Sequence, residues 1–385
     1  MNLLDLVFAV LLVSAVAGGW RLGLIARVSS WIGALGGLLL ATRLLPEVVD
    51  RMGSGPPLTR LFVVLSVLLL GATVGGLLGE LVGHRLRAVV APGPARQADH
   101  ALGAVAGAVG VLLGTWLLIP VLGEVPGEVA RLARSSAVLG WIDDSAPEPP
   151  DTMRALRTYL GENRFPQVFA GLEPAPDTGP PPSQIPMDPA VLARVLASTV
   201  NVESDGCGAR HEGSGFAIDQ DLVVTNAHVV AGADEIRVRR PDQRLVDARV
   251  VGFEPGRDLA LLRAPGLGQA PLALANAAVG DQGVVVGYPG GQNTPRPTPY
   301  VVSDESSTLG YDIYNERRVR RQVLFLASAL RPGDSGAPLV NLEGRVVGVA
   351  FAIAPDRAGT AYALDDSELR PFLAAPPQVG AGRCQ

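Results

Sequence analysis

Three segments in the C-terminal half carry side chains able to do nucleophilic and acid–base chemistry. They are Thr225-Asn226-Ala227-His228-Val229-Val230, Arg257-Asp258-Leu259-Ala260-Leu261-Leu262 and Pro332-Gly333-Asp334-Ser335-Gly336-Ala337-Pro338-Leu339. A serine hydroxyl is a poor nucleophile at neutral pH. It needs a neighbouring base, and the base needs a group to orient it. Ser335, His228 and Asp258 are residues of those three types. In such a set the Ser335 Oγ attacks an acyl carbon. His228 takes the proton and returns it to the leaving group, and Asp258 orients the imidazole and stabilises it when charged. The developing oxyanion needs donors, and the backbone N–H groups of Gly333 and Ser335 are the candidates. Gly333 suits that place because glycine reaches conformations closed to other residues. His228 must be neutral to act, so the rate is expected to fall in acid. A lone His is most often structural, and a Gly-Asp-Ser-Gly run can be a plain turn. The three together favour an intact site. This chemistry calls for no metal and no cofactor.

The elements that must hold these residues are short strands. From Thr199 onward, apolar runs such as Gly213–Ile218, Leu222–Thr225, Ala248–Phe253, Leu259–Arg263, Gly283–Gly287, Val323–Leu326 and Gly344–Phe351 alternate with Gly, Pro, Asn and Asp. That spacing predicts an all-β barrel or sandwich. The His228 segment ends a strand, the Asp258 segment opens one, and Ser335 sits on a Gly-rich loop leading into another. The order His, Asp, Ser, with gaps of 30 and 77 residues, is that of the chymotrypsin arrangement rather than of subtilisin-like or α/β-hydrolase enzymes.

On these motifs, residues 199–372 resemble the trypsin-like and high-temperature-requirement-type serine proteases. The resemblance implies a chymotrypsin-like double β-barrel and hydrolysis of peptide bonds. Two departures stand out: Ala337 occupies a place where the family usually has Gly, and no activation sequence of the trypsin zymogen type is evident. By family position, Ala329 and Phe351, Ala352 and Ile353 are expected at the primary specificity pocket. None is charged, which points to a modest apolar P1 side chain. The basic run Asn315-Glu316-Arg317-Arg318-Val319-Arg320-Arg321 reads as a solvated hairpin, or as a contact for an acidic substrate or an anionic envelope polymer. After Leu364 a short helix is expected around Asp366–Ala374, and nothing resembling a peptide-binding PDZ module follows. Two other uses fit the same residues: peptide binding without cleavage, and ester hydrolysis.

The only cysteines are Cys207 and Cys384, near the two ends of this β-rich region. In an oxidising compartment they suggest a single disulfide, structural or redox-controlling. Otherwise they are two free thiols. A bridge closing so long a loop stabilises by about 5 kcal/mol on the chain-entropy model.

The first third reads differently. Of 385 residues, 48% are apolar, and the excess lies near the N-terminus. Long apolar runs at Leu3–Trp20, Ser29–Leu45, Leu61–Val82 and Ala101–Leu122 each approach the length of a membrane-spanning helix. Small residues such as Gly71, Gly75, Gly76 and Gly79 let such helices pack closely. The first run lacks the basic start and cleavage site of a signal peptide and is read as a span. Arg21 and Arg27 follow the first run, and Arg85, Arg87 and Arg96 follow the third. These connections are the cytoplasmic candidates, which places the N-terminus and everything after the fourth run outside. The net charge of −5 gives no reason to expect nucleic-acid binding.

The expected division is thus a four-span multi-pass α-helical membrane domain over 1–122, a connector over 123–198 and the protease-like domain over 199–385. In the connector, helices are expected around Val125–Ala137, Asp151–Asn163 and Pro189–Ser198. Its Pro-dense stretch Glu173–Pro189 reads as a semi-rigid spacer, open to cleavage at Gly179–Val200. The span pattern resembles the colicin V production protein family over roughly residues 1–165. The whole layout resembles the actinobacterial membrane-anchored serine proteases linked to acid resistance. That resemblance implies a periplasm-like setting on the cytoplasmic membrane, protein or peptide substrates in the cell envelope, the lipid bilayer as partner, and a role under acid or oxidative stress.

Overall fold

A computed structural model describes residues 2–51, 57–88, 93–124, 127–147, 168, 172–184, 186–207, 209–377 and 380–384. The expected helix at Asp151–Asn163 lies outside the described residues. The chain divides into two compact units, one of Met1–Gly123 with Ser135–Glu162, the other of Glu124–Arg134 with Asn163–Gln385.

The first unit is helical: α1 (Leu3–Arg51), α2 (Pro57–Arg87), α3 (Pro94–Glu124) and α5 (Ala137–Ser145), with α4 (Glu128–Arg134) belonging to the other unit. Three helices are long and apolar enough to cross a membrane, with spans of Leu3–Leu45, Ser66–Arg87 and Pro94–Pro120. The first two apolar runs therefore fall in one helical stretch rather than two separate helices. Gly23, at φ 78° and ψ 167°, interrupts α1 between them. The two halves have different neighbours. Gly33 and Gly37 lie against Gly71, Gly75 and Gly79 of α2, whereas Ala15 and Gly19 lie against Gly107 and Gly103 of α3. In both pairings residue numbers rise on one helix as they fall on the other, so each pair is antiparallel. A Cβ on Gly37 or Gly103 would strike the opposing backbone, so these helices approach as closely as small residues permit.

Polar contacts tie the unit at two levels. At the Gly23 interruption, Arg87 pairs with Asp99 at 2.8 Å and donates to the Arg21 carbonyl at 3.0 Å, and Asp99 accepts the Ile25 N–H at 3.1 Å. About five turns away along α1, Asp5 accepts from Ser136 Oγ at 2.6 Å and from the Val138 N–H at 3.1 Å. Ser136 in turn caps α5 by accepting from Leu139 N–H. Helix α5 covers the Asp143-Asp144-Ser145 stretch that the sequence placed between helices.

The second unit contains two closed barrels. The first is ordered β1-β2-β3-β6-β5-β4, from β1 (Thr199–Gly206), β2 (Ala209–Asp219), β3 (Leu222–Thr225), β4 (Ala233–Arg239), β5 (Leu245–Glu254) and β6 (Leu259–Arg263). The second is ordered β10-β11-β12-β9-β8-β7, from β7 (Gln282–Gly287), β8 (Arg296–Tyr311), β9 (Arg318–Ser328), β10 (Pro338–Asn341), β11 (Val346–Ile353) and β12 (Thr360–Asp365). Helix α6 (Pro189–Ser198) precedes the first barrel, α7 (Ala227–Val230) follows β3, and α8 (Asp366–Ala374) follows β12. Inward-facing apolar side chains fill each barrel. Val200, Val202, Val223, Val238 and Leu262 fill the first, and Val285, Tyr300, Leu324, Leu339 and Val347 the second. A third cluster, including Phe216, Val224, Leu259, Val286, Phe351 and Tyr362, joins strands of both barrels.

The Pro-dense stretch is not a free spacer. Ala175 and Val168 join the third cluster, and the Ala175 N–H donates to Asp356 at 2.9 Å. The Thr178 hydroxyl meets that of Thr360 at 2.9 Å, and the Thr178 carbonyl accepts from Ser303 Oγ at 2.7 Å. Helix α4 joins the same surface through the Gly127 N–H, which donates to the Pro355 carbonyl at 2.8 Å. Proline leaves carbonyls free and fixes φ, so the extended stretch can dock without a partner strand. Cys207 and Cys384 are joined by a disulfide. The tail leading to it is held by the Phe253 N–H on the Pro377 carbonyl and the Gly232 N–H on the Ala381 carbonyl, both at 2.8 Å.

Candidate active site

The three candidate side chains come from different places in the second unit. His228 lies on α7, just beyond β3. Asp258 lies in the turn between β5 and β6, and Ser335 on the loop between β9 and β10. All are buried, with exposures of 7% for His228, 0% for Asp258 and 6% for Ser335. Asp258 accepts from both ends of the same residue, the His228 Nδ1 at 2.7 Å and the His228 backbone N–H at 2.9 Å. That double contact fixes the ring and leaves Nε2 turned away from the carboxylate. Asp258 itself is in the left-handed region, φ 58°, a conformation that costs energy for a non-glycine residue and persists only when its surroundings impose it. Asn226 helps to impose it by donating to the Asp258 carbonyl at 2.8 Å.

Ser335 packs against the same region. Its carbonyl accepts the Ser214 N–H at 2.7 Å, and a Cβ on its neighbour Gly336 would lie 3.1 Å from the Asn226 nitrogen. The peptide planes of the loop are each anchored on their carbonyl side. Pro332 O accepts from Gly290 N–H at 2.7 Å, Gly333 O from Ser214 Oγ at 2.7 Å, and Asp334 O from Ala337 N–H at 3.0 Å. In a trans peptide the N–H points opposite to the carbonyl, so the Gly333 and Ser335 N–H groups face away from these anchors. Among the described residues neither donates to a backbone carbonyl. Gly333 has φ 98°, and a Cβ there would collide with the Tyr288 carbonyl. Two N–H donors left without a backbone acceptor beside a buried serine are what an oxyanion needs.

Two positioning groups were not anticipated from the sequence. Ser214 Oγ, besides holding Gly333, accepts the Tyr288 N–H at 2.9 Å. Asn226 lies within the His228 motif but was not given a role there. The Gly213-Ser214-Gly215 run in a strand carried a signal for Ser214, since strand glycines mark places where another backbone approaches closely.

The electrostatics around the site are uneven. Asp334, 2% exposed, has its carboxyl pushed up to about 6 by burial, against the lowering effect of the Arg331 N–H and of the Arg331 and Arg296 charges. Its Oδ2 accepts from Arg331 N–H at 2.8 Å, and its Oδ1 has no partner among the described residues. His211 on β2 is lowered by burial and by the proximity of His228.

The four residues expected at the specificity pocket lie in different surroundings. Phe351 is buried in the inter-barrel cluster and is a core residue rather than a pocket wall, because its strand position points it between the barrels. Ala352 belongs to the same buried cluster. Ala329 is exposed. Ile353 is the one of the four that is partly buried, and like Leu330 it packs against the core of the second barrel. Within the basic run, Arg321 is buried rather than solvated. Among the described residues no cluster of His, Cys, Asp and Glu suited to a metal ion is present.

Residues 213–349 match the model of the trypsin-like peptidase domain, and residues 4–147 that of the colicin V production protein. The chain is 34% identical to serine protease Rv3671c of Mycobacterium tuberculosis, over 98% of this chain and 97% of that protein. It is 37% identical to the putative serine protease HhoA of Synechocystis, over 40% of each. Among solved structures, the active form of the Rv3671c protease is 38% identical, covering 53% of this chain and 97% of that one with a TM-score of 0.48. Near-complete two-way coverage at this identity means that the chain belongs to the family of serine proteases in which a colicin V production protein domain is joined to a trypsin-like peptidase domain.

Proposed function

We propose that the protein is a membrane-anchored endopeptidase that cleaves peptide bonds outside the cytoplasmic membrane through Ser335, His228 and Asp258. The observation that carries this reading is the double contact of Asp258 with His228, made beside a serine whose loop presents two free N–H donors. Ser335 Oγ forms the bond to the scissile carbonyl carbon as His228 Nε2 accepts its proton. The oxyanion rests on the Gly333 and Ser335 N–H groups, the amine leaves with the proton from His228, and water repeats the sequence on the acyl-enzyme. Leu330 and Ile353, apolar and partly open, favour an uncharged P1 side chain. In the membrane unit, α1 crosses twice by reversing at Gly23, giving four spans and placing the start of α1 and α5 on one side. The Arg-rich level at Arg21, Arg27 and Arg87 then faces the cytoplasm, by the positive-inside rule. A role in envelope stress or acid resistance rests on family resemblance.

The test is labelling of the full-length chain, in detergent, with a fluorophosphonate. Wild type is expected to label and Ser335→Ala to remain unlabelled. Equal labelling of both, or none of wild type, would refute the proposal and leave a peptide-binding role for the barrels.

A further inference from the structure

Arg321 has the largest fully buried side chain among the described residues, at 2% exposure. Its Nε donates to the Gly256 carbonyl at 2.7 Å and its Nη2 to the Tyr311 carbonyl. Among the described residues no carboxylate lies within ion-pair distance of it. A buried guanidinium with neutral partners is costly, so its charge must be balanced from farther off. The negative groups that face it are Asp258 in the β5–β6 turn, Glu368 on α8 and Asp312 at the tip of the β8–β9 hairpin. Burial lowers its affinity for the proton and these three oppose that effect.

The carbonyl it holds belongs to the turn that delivers Asp258. That turn, residues 255–258, is pinned at every step. Pro255 O accepts the Ile313 N–H at 3.3 Å. Gly256 O accepts Arg321, Arg257 pairs with Glu254 and Glu368 at 2.7 Å each, and Asp258 O accepts Asn226. Of these ties, only Arg321 is a buried cation. The Phe351 ring, centred 6.0 Å from its guanidinium carbon, helps to keep water away.

We infer that Arg321 is a positioning residue for the catalytic pair, holding the Asp258 turn through Gly256 and placing a buried positive charge behind Asp258. This rests on the triad reading given above. Asp258 and His211 are charged or titratable groups that face His228 itself. A positive charge behind Asp258 disfavours a second positive charge on the pair, so its loss is expected to move the acid limb of the reaction to higher pH.

The test is the rate of fluorophosphonate labelling of full-length protein against pH, for wild type, Arg321→Met, Arg321→Gln and Arg321→Lys, with Ser335→Ala as blank. In the Met and Gln variants the acid limb is expected to move up by about half to one pH unit, less than the roughly 1–3 units of an adjacent charge because Arg321 acts from behind Asp258. In Arg321→Lys the limb stays at the wild-type pH while the maximal rate falls several-fold, because the ammonium keeps the charge but not the planar fork. An acid limb that stays put in a folded Met or Gln variant would overturn the inference. If neither neutral variant folds, a shifted limb in Arg321→Lys would overturn it. Absence of labelling in wild type at every pH would overturn the triad reading, and this one with it.

Discussion

Ser214 offers the most direct way to disturb the proposed oxyanion donors without touching the proposed triad. Its Oγ donates to the Gly333 carbonyl at 2.7 Å and accepts the Tyr288 N–H at 2.9 Å, and the residue is fully buried. Ser214→Ala removes both contacts and leaves a buried carbonyl and a buried N–H without partners. Each such loss costs about 1–3 kcal/mol, so the β-domain is expected to lose about 2–5 kcal/mol, partial relaxation included. The second effect is on rate. With the Gly333 carbonyl released, the planes on either side of Asp334 can rotate and carry a donor away from the oxyanion. Loss of one donor lowers turnover by about 10²–10³. Fluorophosphonate labelling at neutral pH reads the rate, and pulse proteolysis in urea reads the stability of the barrels in the intact chain. A folded Ser214→Ala protein that labels at the wild-type rate would refute the link between this hydroxyl and the oxyanion donors. An unchanged urea midpoint would refute the energetic argument as well.

Two further outcomes follow from the same geometry. Asp334 has its folded-state pKa raised to about 6 from 3.8, so its stabilising contribution is complete below about pH 4 and is lost as the pH rises through 6. Asp334→Asn should therefore gain on wild type between those pH values, by about 3 kcal/mol at neutral pH, as read by the urea midpoint at pH 4.5 and 7.5. A difference between the two proteins that does not vary with pH would rule this out. Replacing both Cys207 and Cys384 by Ser should destabilise the β-domain by up to about 5 kcal/mol on the chain-entropy model, and should expose the tail to protease before the barrels unfold. Equal midpoints for this variant and the oxidised wild type would contradict it.

The site was legible in the sequence where its chemistry is local. His228, Asp258 and Ser335 each sit in a short motif, and their order constrains the fold because only some folds bring residues together in that order. Gly333 was legible for the same reason, since a positive φ next to a nucleophile calls for glycine. The long apolar helices were legible because apolar runs of this length stand out from the rest of the chain. Strand β8 was missed: its polar half, Ser303–Ser307, lacks the apolar alternation that marks a strand against a core. The Pro-dense stretch was misread because proline and charge resemble a linker until Ala175 and Thr178 find Asp356 and Thr360.

The sequence by itself thus determined which atoms can do the chemistry, that they lie on β-structure, and that long apolar helices precede them. Only the tertiary structure decided what holds those atoms in place. Ser214 reaches Gly333 across 119 residues, and Arg321 reaches Gly256 across 65. No local pattern records such contacts, because a buried hydroxyl, guanidinium or carboxylate is defined by what surrounds it. The same arginine in Arg317–Arg321 reads as one more surface charge until the β8–β9 hairpin folds over the Asp258 turn. At that point burial strips its water and makes its charge felt by the catalytic pair.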